Sequence, residues 1–313
     1  MWPPEGGGGN YIAAGLIVTR MRRSWLLISF ALFAACSSSV TGSDTTVTVM
    51  PSTTTSTVMV TTTAPTTTTI VPTTTTTTSP FARPDWLGTR LLPLRPDGHG
   101  EVLATPDELV DRQFETIDLL DPPPSQEFVS SIEEIPPDVL ARSSWTEDCP
   151  VTLDELRYLT VSHYGFDGEF HTGEIIVNTA VAEDVVDVFA RLHAARFPIE
   201  QMRVTTLEQV DDHPTGDFNE TGSFVCRPAV GSSNWSYHAY GLAIDVNPFH
   251  NPYLKGDLVI PELASVYTDR EDVRPGMIVE GDVVTEAFDD IGWEWGGNWN
   301  TLKDWMHFST TGR

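Results

Sequence analysis

The sequence predicts an α+β domain in the C-terminal half of the chain, and three observations support this. Strand-like and helix-like stretches mix without the regular alternation that a parallel sheet with crossover helices requires. A run of β-branched and aromatic residues from Leu156 gives way to helical periodicity from Ala180. The first quarter of the chain cannot build a core, since residues 37–80 are almost all Ser, Thr, Val and Pro and hold no aromatic residue.

The elements follow in order. Residues 156–166 (LRYLTVSHYGF) read as a strand, Asp167-Gly168 as a turn, and residues 170–178 (FHTGEIIVN) as a second strand, so a hairpin is expected. Val181, Val185, Val188, Phe189 and Leu192 recur at helical spacing over residues 180–196; Asn178 or Thr179 can cap the start, and Pro198 follows the end. Residues 199–206 read as a strand and the polar stretch 211–223 as a loop. Residues 241–246 read as a strand, 283–291 as a short helix, 293–299 (WEWGGNW) as a loop and 305–309 as a last strand.

Four regions are expected. Residues 1–35 have the shape of an export signal: Met21-Arg22-Arg23 is basic, residues 25–35 (WLLISFALFAA) are apolar, and Phe33-Ala34-Ala35-Cys36 places small residues before a cysteine. This resembles a bacterial lipoprotein signal, with Met21 as the true start and Cys36 as the acylated residue. The apolar run is too short to span a bilayer comfortably. Residues 36–80 are dominated by Ser, Thr, Val and Pro, with Asp44 their one charge, and are expected to form a disordered Thr/Ser-rich stalk, a candidate for O-glycosylation. Residues 81–143 form an irregular, proline-rich lead-in, expected to pack partly on the main domain. Residues 144–313 form the domain itself.

The chain carries a formal net charge of −26 over 313 residues, which argues against nucleic acid as a partner. An exported chain that lipidates Cys36 keeps Cys149 and Cys226, which are expected to pair. The expected location is the cell envelope, outside the cytoplasm, with a lipid anchor in the membrane and the protein a monomer.

Two stretches carry chemistry. The first is Ser236-x-His238-x-x-Gly241-x-Ala243-x-Asp245; the second is Asp304-x-x-His307-Phe308. Two imidazoles and a carboxylate suit zinc, which in catalytic sites commonly takes three protein ligands and leaves a fourth position open. A second carboxylate beside it, Asp304, could move protons. Read from spacing alone, His238 could equally be a satisfied core or surface histidine and Asp245 a strand-end cap. Glu294 is a second candidate base, distant in sequence from the last ligand.

SYHAYGLAIDVNP together with DWMHFS resembles the M15 family of zinc peptidases, the D-alanyl-D-alanine carboxypeptidases and L-alanyl-D-glutamate endopeptidases of bacterial cell walls. NPFHNPY, the FVCRP stretch around Cys226, and WGGNW add to the likeness, which covers residues 158–309. It implies a small zinc-peptidase fold of the Hedgehog/DD-peptidase type, with His238, Asp245 and His307 as Zn2+ ligands and Asp304 as the catalytic acid/base. It implies that Ser236 orients the first ligand loop and that Gly241 lets the backbone turn between the first two ligands. It also implies a basic residue on the substrate; Arg227 and Arg203 are the candidates, with a surface salt bridge as the other reading of each. The implied activity is zinc-dependent hydrolysis of peptide bonds in peptidoglycan stem peptides, of D,D-carboxypeptidase or L-Ala-D-Glu endopeptidase type. The alternative is a non-catalytic, zinc-containing lipoprotein that binds cell wall. His163, His171, His193, His213 and His250 fall outside the motifs and are expected mostly at the surface. Trp293, Trp295 and Trp299 could line a sugar or peptide groove, or simply pack around the site.

Overall fold

The computed structural model describes residues 81–212, 214–229 and 232–312; the expected signal, Cys36, the stalk and His213 lie outside the described residues. The lead-in carries helix α1 (Asp107–Val110), strand β1 (Ser130–Glu133) and helix α2 (Pro137–Arg142). Then come β2 (Leu156–Tyr164), β3 (Phe170–Asn178), α3 (Ala182–Ala194), β4 (Gln201–Met202), α4 (Leu207–Asp211) and β5 (Glu220–Thr221). The C-terminal part adds β6 (Ala243–Asp245), β7 (Tyr253–Lys255), β8 (Leu258–Ile260), α5 (Val283–Asp290), β9 (Glu294–Trp295), β10 (Lys303–Asp304) and β11 (His307–Ser309). This mixture of helices and small, mainly antiparallel sheets is α+β, as the sequence predicts.

The expected hairpin forms, with β2 and β3 paired from Leu156↔Asn178 to Tyr164↔Phe170. Side chains alternate across a strand, so each face of this ladder builds its own core. Leu159, Val161, Ile175 and Val177 face α3 and α5 and join Val185, Phe189, Ile244, Phe288 and Phe308. Leu156, Tyr158 and Ile176 face the other way and join Val139, Val151 and Phe224. On that second face the buried Glu174 is held by Arg142 through two bonds of 2.6 and 2.5 Å and by the Tyr158 hydroxyl at 2.7 Å.

Two expected elements differ. The strand expected over 199–206 survives only as β4, because Thr206 and Gln209 form a capping box that starts α4. The stretch 211–223 expected as a loop contains β5, which pairs in parallel with β4. Likewise WEWGGNW is not all loop: Trp295 and Glu294 pair with Phe308 and Ser309 as β9.

The lead-in is more than a partial cover. Leu92, Leu109 and Phe114 bury against Phe249, Leu263 and Tyr267 in a core of their own. Beneath them Glu200, fully buried, accepts from Arg112 Nε at 2.7 Å and Nη2 at 2.9 Å, and from Asn219 Nδ2 at 2.6 Å. Arg83 also pairs with Glu200 at 3.0 Å. β1 adds a third strand to the hairpin, in the order β1-β2-β3. Cys149 and Cys226 form a disulfide, as expected, closing a separation of 77 residues.

The expectation of surface histidines is overturned for the four that are described: His163, His171, His193 and His250 are all buried. Two of them find hydrogen-bond partners that composition cannot show. His171 sits between Asp118 at 2.9 Å and Asp167 at 3.1 Å. His250 faces Asn219 and the Arg112 carbonyl and stacks on Phe166. Burial, then the nearby His171, pushes the His163 imidazole down to about 3. Burial likewise pushes His250 down to about 4, against the pull of Glu200. A histidine of depressed pKa binds its proton more readily once unfolded. Its neutral form therefore supports the fold above the unfolded pKa near 6.5, and that support is lost as pH falls from there toward the folded value. Acidification to pH 5 is expected to cost about 2 kcal/mol for each of the two histidines. Melting followed from pH 7 to 5 should show it, with a shallower dependence in His163→Leu; parallel curves for variant and parent would remove His163 from the account.

Candidate active site

The two halves of the motif meet through strand register. In the β6–β11 pair, Asp245 stands directly opposite His307, so their side chains share one face. His238 arrives from the 3-10 turn Tyr237–Tyr240, where the Ser236 side chain accepts from the His238 backbone N–H. Gly241 ends that turn at φ 64°, and a Cβ there would lie 2.6 Å from the Asn178 nitrogen. Glycine is thus required both for the left-handed conformation and for the close approach to β3. The Gly241 carbonyl accepts from Asn178 N at 2.9 Å, fastening the turn to the hairpin.

One ligand atom from each of His238, Asp245 and His307 falls within 4.8 Å of the others. His238 Nε2 lies 3.3 Å from Asp245 Oδ2 and 3.2 Å from His307 Nδ1; His307 Nδ1 lies 3.1 Å from Asp245 Oδ1. His238 Nδ1 donates to the Ser223 carbonyl at 2.6 Å, which leaves Nε2 its lone pair toward the cluster. Both imidazoles are buried. Burial disfavours charge on Asp245, but His238 and His307 more than offset it and hold the carboxyl well below its usual range. Two ring nitrogens and a carboxylate converging on one point fit a divalent cation of the zinc type.

Asp304 lies on the neighbouring sheet, where β10 pairs with β7 and the order is β10-β7-β8. The chain then turns through the buried Trp305 and Met306 into β11. Gly296 of the WGGNW stretch packs on Asp304 so closely that a Cβ would meet its carbonyl oxygen at 2.5 Å. Asp304 Oδ1 is buried and has no hydrogen-bond partner among the described residues. Burial foremost, helped by the Asp245 carboxylate and opposed by His307 and Arg227, pushes the Asp304 carboxyl up to about 7.

The remaining candidates separate. Arg227 stands within electrostatic reach of Asp304 and bonds in the protein to the Pro228 carbonyl at 3.2 Å. Arg203 is engaged elsewhere, with Gln201, the Ile117 carbonyl and Glu220. Glu294 is exposed on β9 and is no part of the cluster. Trp293 and Trp295 belong to the core facing α5, whereas the Trp299 ring stands 5.6 Å from that of His307. Sequence reasoning missed Tyr253, the cross-strand partner of Asp304. Its only signal was its place at the end of NPFHNPY.

A family model described as D-alanyl-D-alanine carboxypeptidase, of the M15 peptidases, matches residues 230–310. No curated protein and no solved structure matches the chain. The matched segment holds all three residues of the cluster and Asp304, and it supports a peptidase.

Proposed function

We propose, from an M15-type peptidase segment at 230–310, that this protein is a zinc-dependent hydrolase of peptide bonds in peptidoglycan stem peptides. Carboxypeptidase and endopeptidase action both fit this reading. The observation that carries it is the convergence of His238, Asp245 and His307 beside a carboxylate whose inner oxygen has no partner among the described residues. His238 through Nε2, His307 through Nδ1 and Asp245 would hold the ion. Bound zinc supplies Lewis acidity, polarising the scissile carbonyl and making water a better nucleophile at neutral pH.

The chain's own groups do the rest. Asp304, as carboxylate, takes a proton from the attacking water and returns it to the departing amine. Burial raises this carboxyl and a bound dication would draw it part of the way back, which keeps both protonation states within reach at neutral pH. Arg227 grips a carboxylate of the substrate, the geometry favouring it over the occupied Arg203. An export signal over residues 1–35 and a lipid anchor on Cys36 would hold the domain outside the cytoplasm, facing the cell wall.

The test is mass analysis of defined muropeptides incubated with the purified protein, with zinc and with a chelator. Loss of a terminal D-alanine that the chelator abolishes means a carboxypeptidase; a cut between L-alanine and D-glutamate means an endopeptidase. A protein that retains zinc and cuts neither would be a binding module.

A further inference from the structure

Tyr253 enters β7 directly opposite Asp304 of β10, and its neighbour Leu254 packs into the protein's cores. Successive side chains of a strand point to opposite faces, so Tyr253 shares the face of Asp304. Directly opposed residues lie side by side at their Cβ atoms. A tyrosine side chain is several ångströms longer than that of aspartate, so its hydroxyl reaches past the carboxylate rather than onto it. Three facts agree with that geometry. The Tyr253 ring is partly exposed. No hydrogen bond of its hydroxyl is found among the described residues, and Asp304 Oδ1 is without a partner among them too. Burial first, and the Asp304 charge second, raise the pKa of the phenol, so it stays a protonated donor within reach of that charge. A donor left free beside an acid/base is available to a substrate that reaches it.

We propose that Tyr253 is a further catalytic residue, whose hydroxyl donates a hydrogen bond to the scissile carbonyl oxygen as that oxygen gains negative charge. This rests on the peptidase reading above. In the step, the water oxygen bonds to the carbonyl carbon and the carbonyl π pair moves onto its oxygen. The water proton goes to Asp304. Tyr253 keeps its own proton and stabilises the new charge. Collapse re-forms the carbonyl and breaks the C–N bond, and the proton passes from Asp304 to the amine.

Tyr253→Phe keeps the ring and removes only the donor. In the full-length protein loaded with zinc, kcat on a muropeptide should fall about 10²–10³-fold, the loss typical of one missing donor to an oxyanion. KM should stay within about threefold, because the bond strengthens only in the transition state. Zinc content and melting should match the parent. A kcat within about threefold of the parent, or a loss confined to KM, overturns the proposal. A phosphinate analogue of the dipeptide whose bond the parent cuts, which mimics the tetrahedral oxygens, gives a second readout by titration. Weaker binding by the variant supports the role, and equal affinity overturns it. A parent that cuts no muropeptide overturns the peptidase reading and the catalytic role with it, whereas a parent that cuts while the variant keeps its kcat overturns the role of Tyr253 alone.

Discussion

Asp304→Asn is expected to lower kcat by about 10²–10⁴-fold while the protein still takes up zinc at parental stoichiometry. The amide fills the same space, so the packing of Gly296 against this residue is kept. None of the three converging ligand atoms is touched. What disappears is the ability to accept a proton. The pH dependence should carry the same signature. Burial and the Asp245 carboxylate push Asp304 up to about 7, and a bound dication would draw it down again, since an opposite charge favours the carboxylate. The acid limb of the parent's kcat profile should therefore lie below pH 7 and be missing from the residual rate of the variant. Metal analysis beside turnover checks this. A variant that keeps a tenth of the parental rate would mean that the proton goes elsewhere.

Glu200→Ala should cost about 3–5 kcal/mol of stability, the range for breaking a buried ion pair from one side. The loss is large because the partner cannot escape to water. Arg112 is only 2% exposed and spends two guanidinium nitrogens on Glu200. Burial opposes the Glu200 charge, but Arg112 and then Arg83 hold the carboxyl below its usual range. Its contribution is therefore complete at neutral pH, begins to fade as pH falls below the unfolded carboxyl's value near 4.5, and is gone once acid titrates the folded group. Urea unfolding measures the loss. Hydrogen exchange should show faster exchange over residues 81–118, which reach the body of the domain through this carboxylate. Glu200→Leu with Arg112→Met should recover part of the loss, since no charge is then stranded. A single variant as stable as the parent would show that the lead-in is held by its apolar contacts alone.

The sequence disclosed what is local. The ends of β3, the start of β2 and the run of α3 followed from periodicity and from Asn178, which caps the chain after β3 by accepting from Ala180 N. The donor set at the site followed from residue type and spacing together with family likeness. What stayed hidden depends on partners far along the chain. Arg112 and Glu200 are 88 residues apart, and nothing near either announces the other. His171 reads as a polar residue until the fold supplies Asp118. β4 and β5 are two residues each and exist because they pair with one another, so neither has a period to detect. Tyr253 was invisible for a similar reason: its meaning comes from the strand it opposes.

The ladder that sets Asp245 against His307 also gives the site a reading frame. A strand slipped by one residue turns every side chain to its other face. One residue added or removed between Asp304 and His307 would therefore not merely crowd the cleft; it would offer Asp245 a neighbour from the wrong side of β11, with Phe308 next in line. Point changes in the Trp305–Met306 turn can be absorbed by degrees, whereas changes of length there act as an on–off switch. Variation among chains built this way should accordingly collect as substitutions within that turn, and insertions and deletions should be displaced to the loops on either side of the sheet.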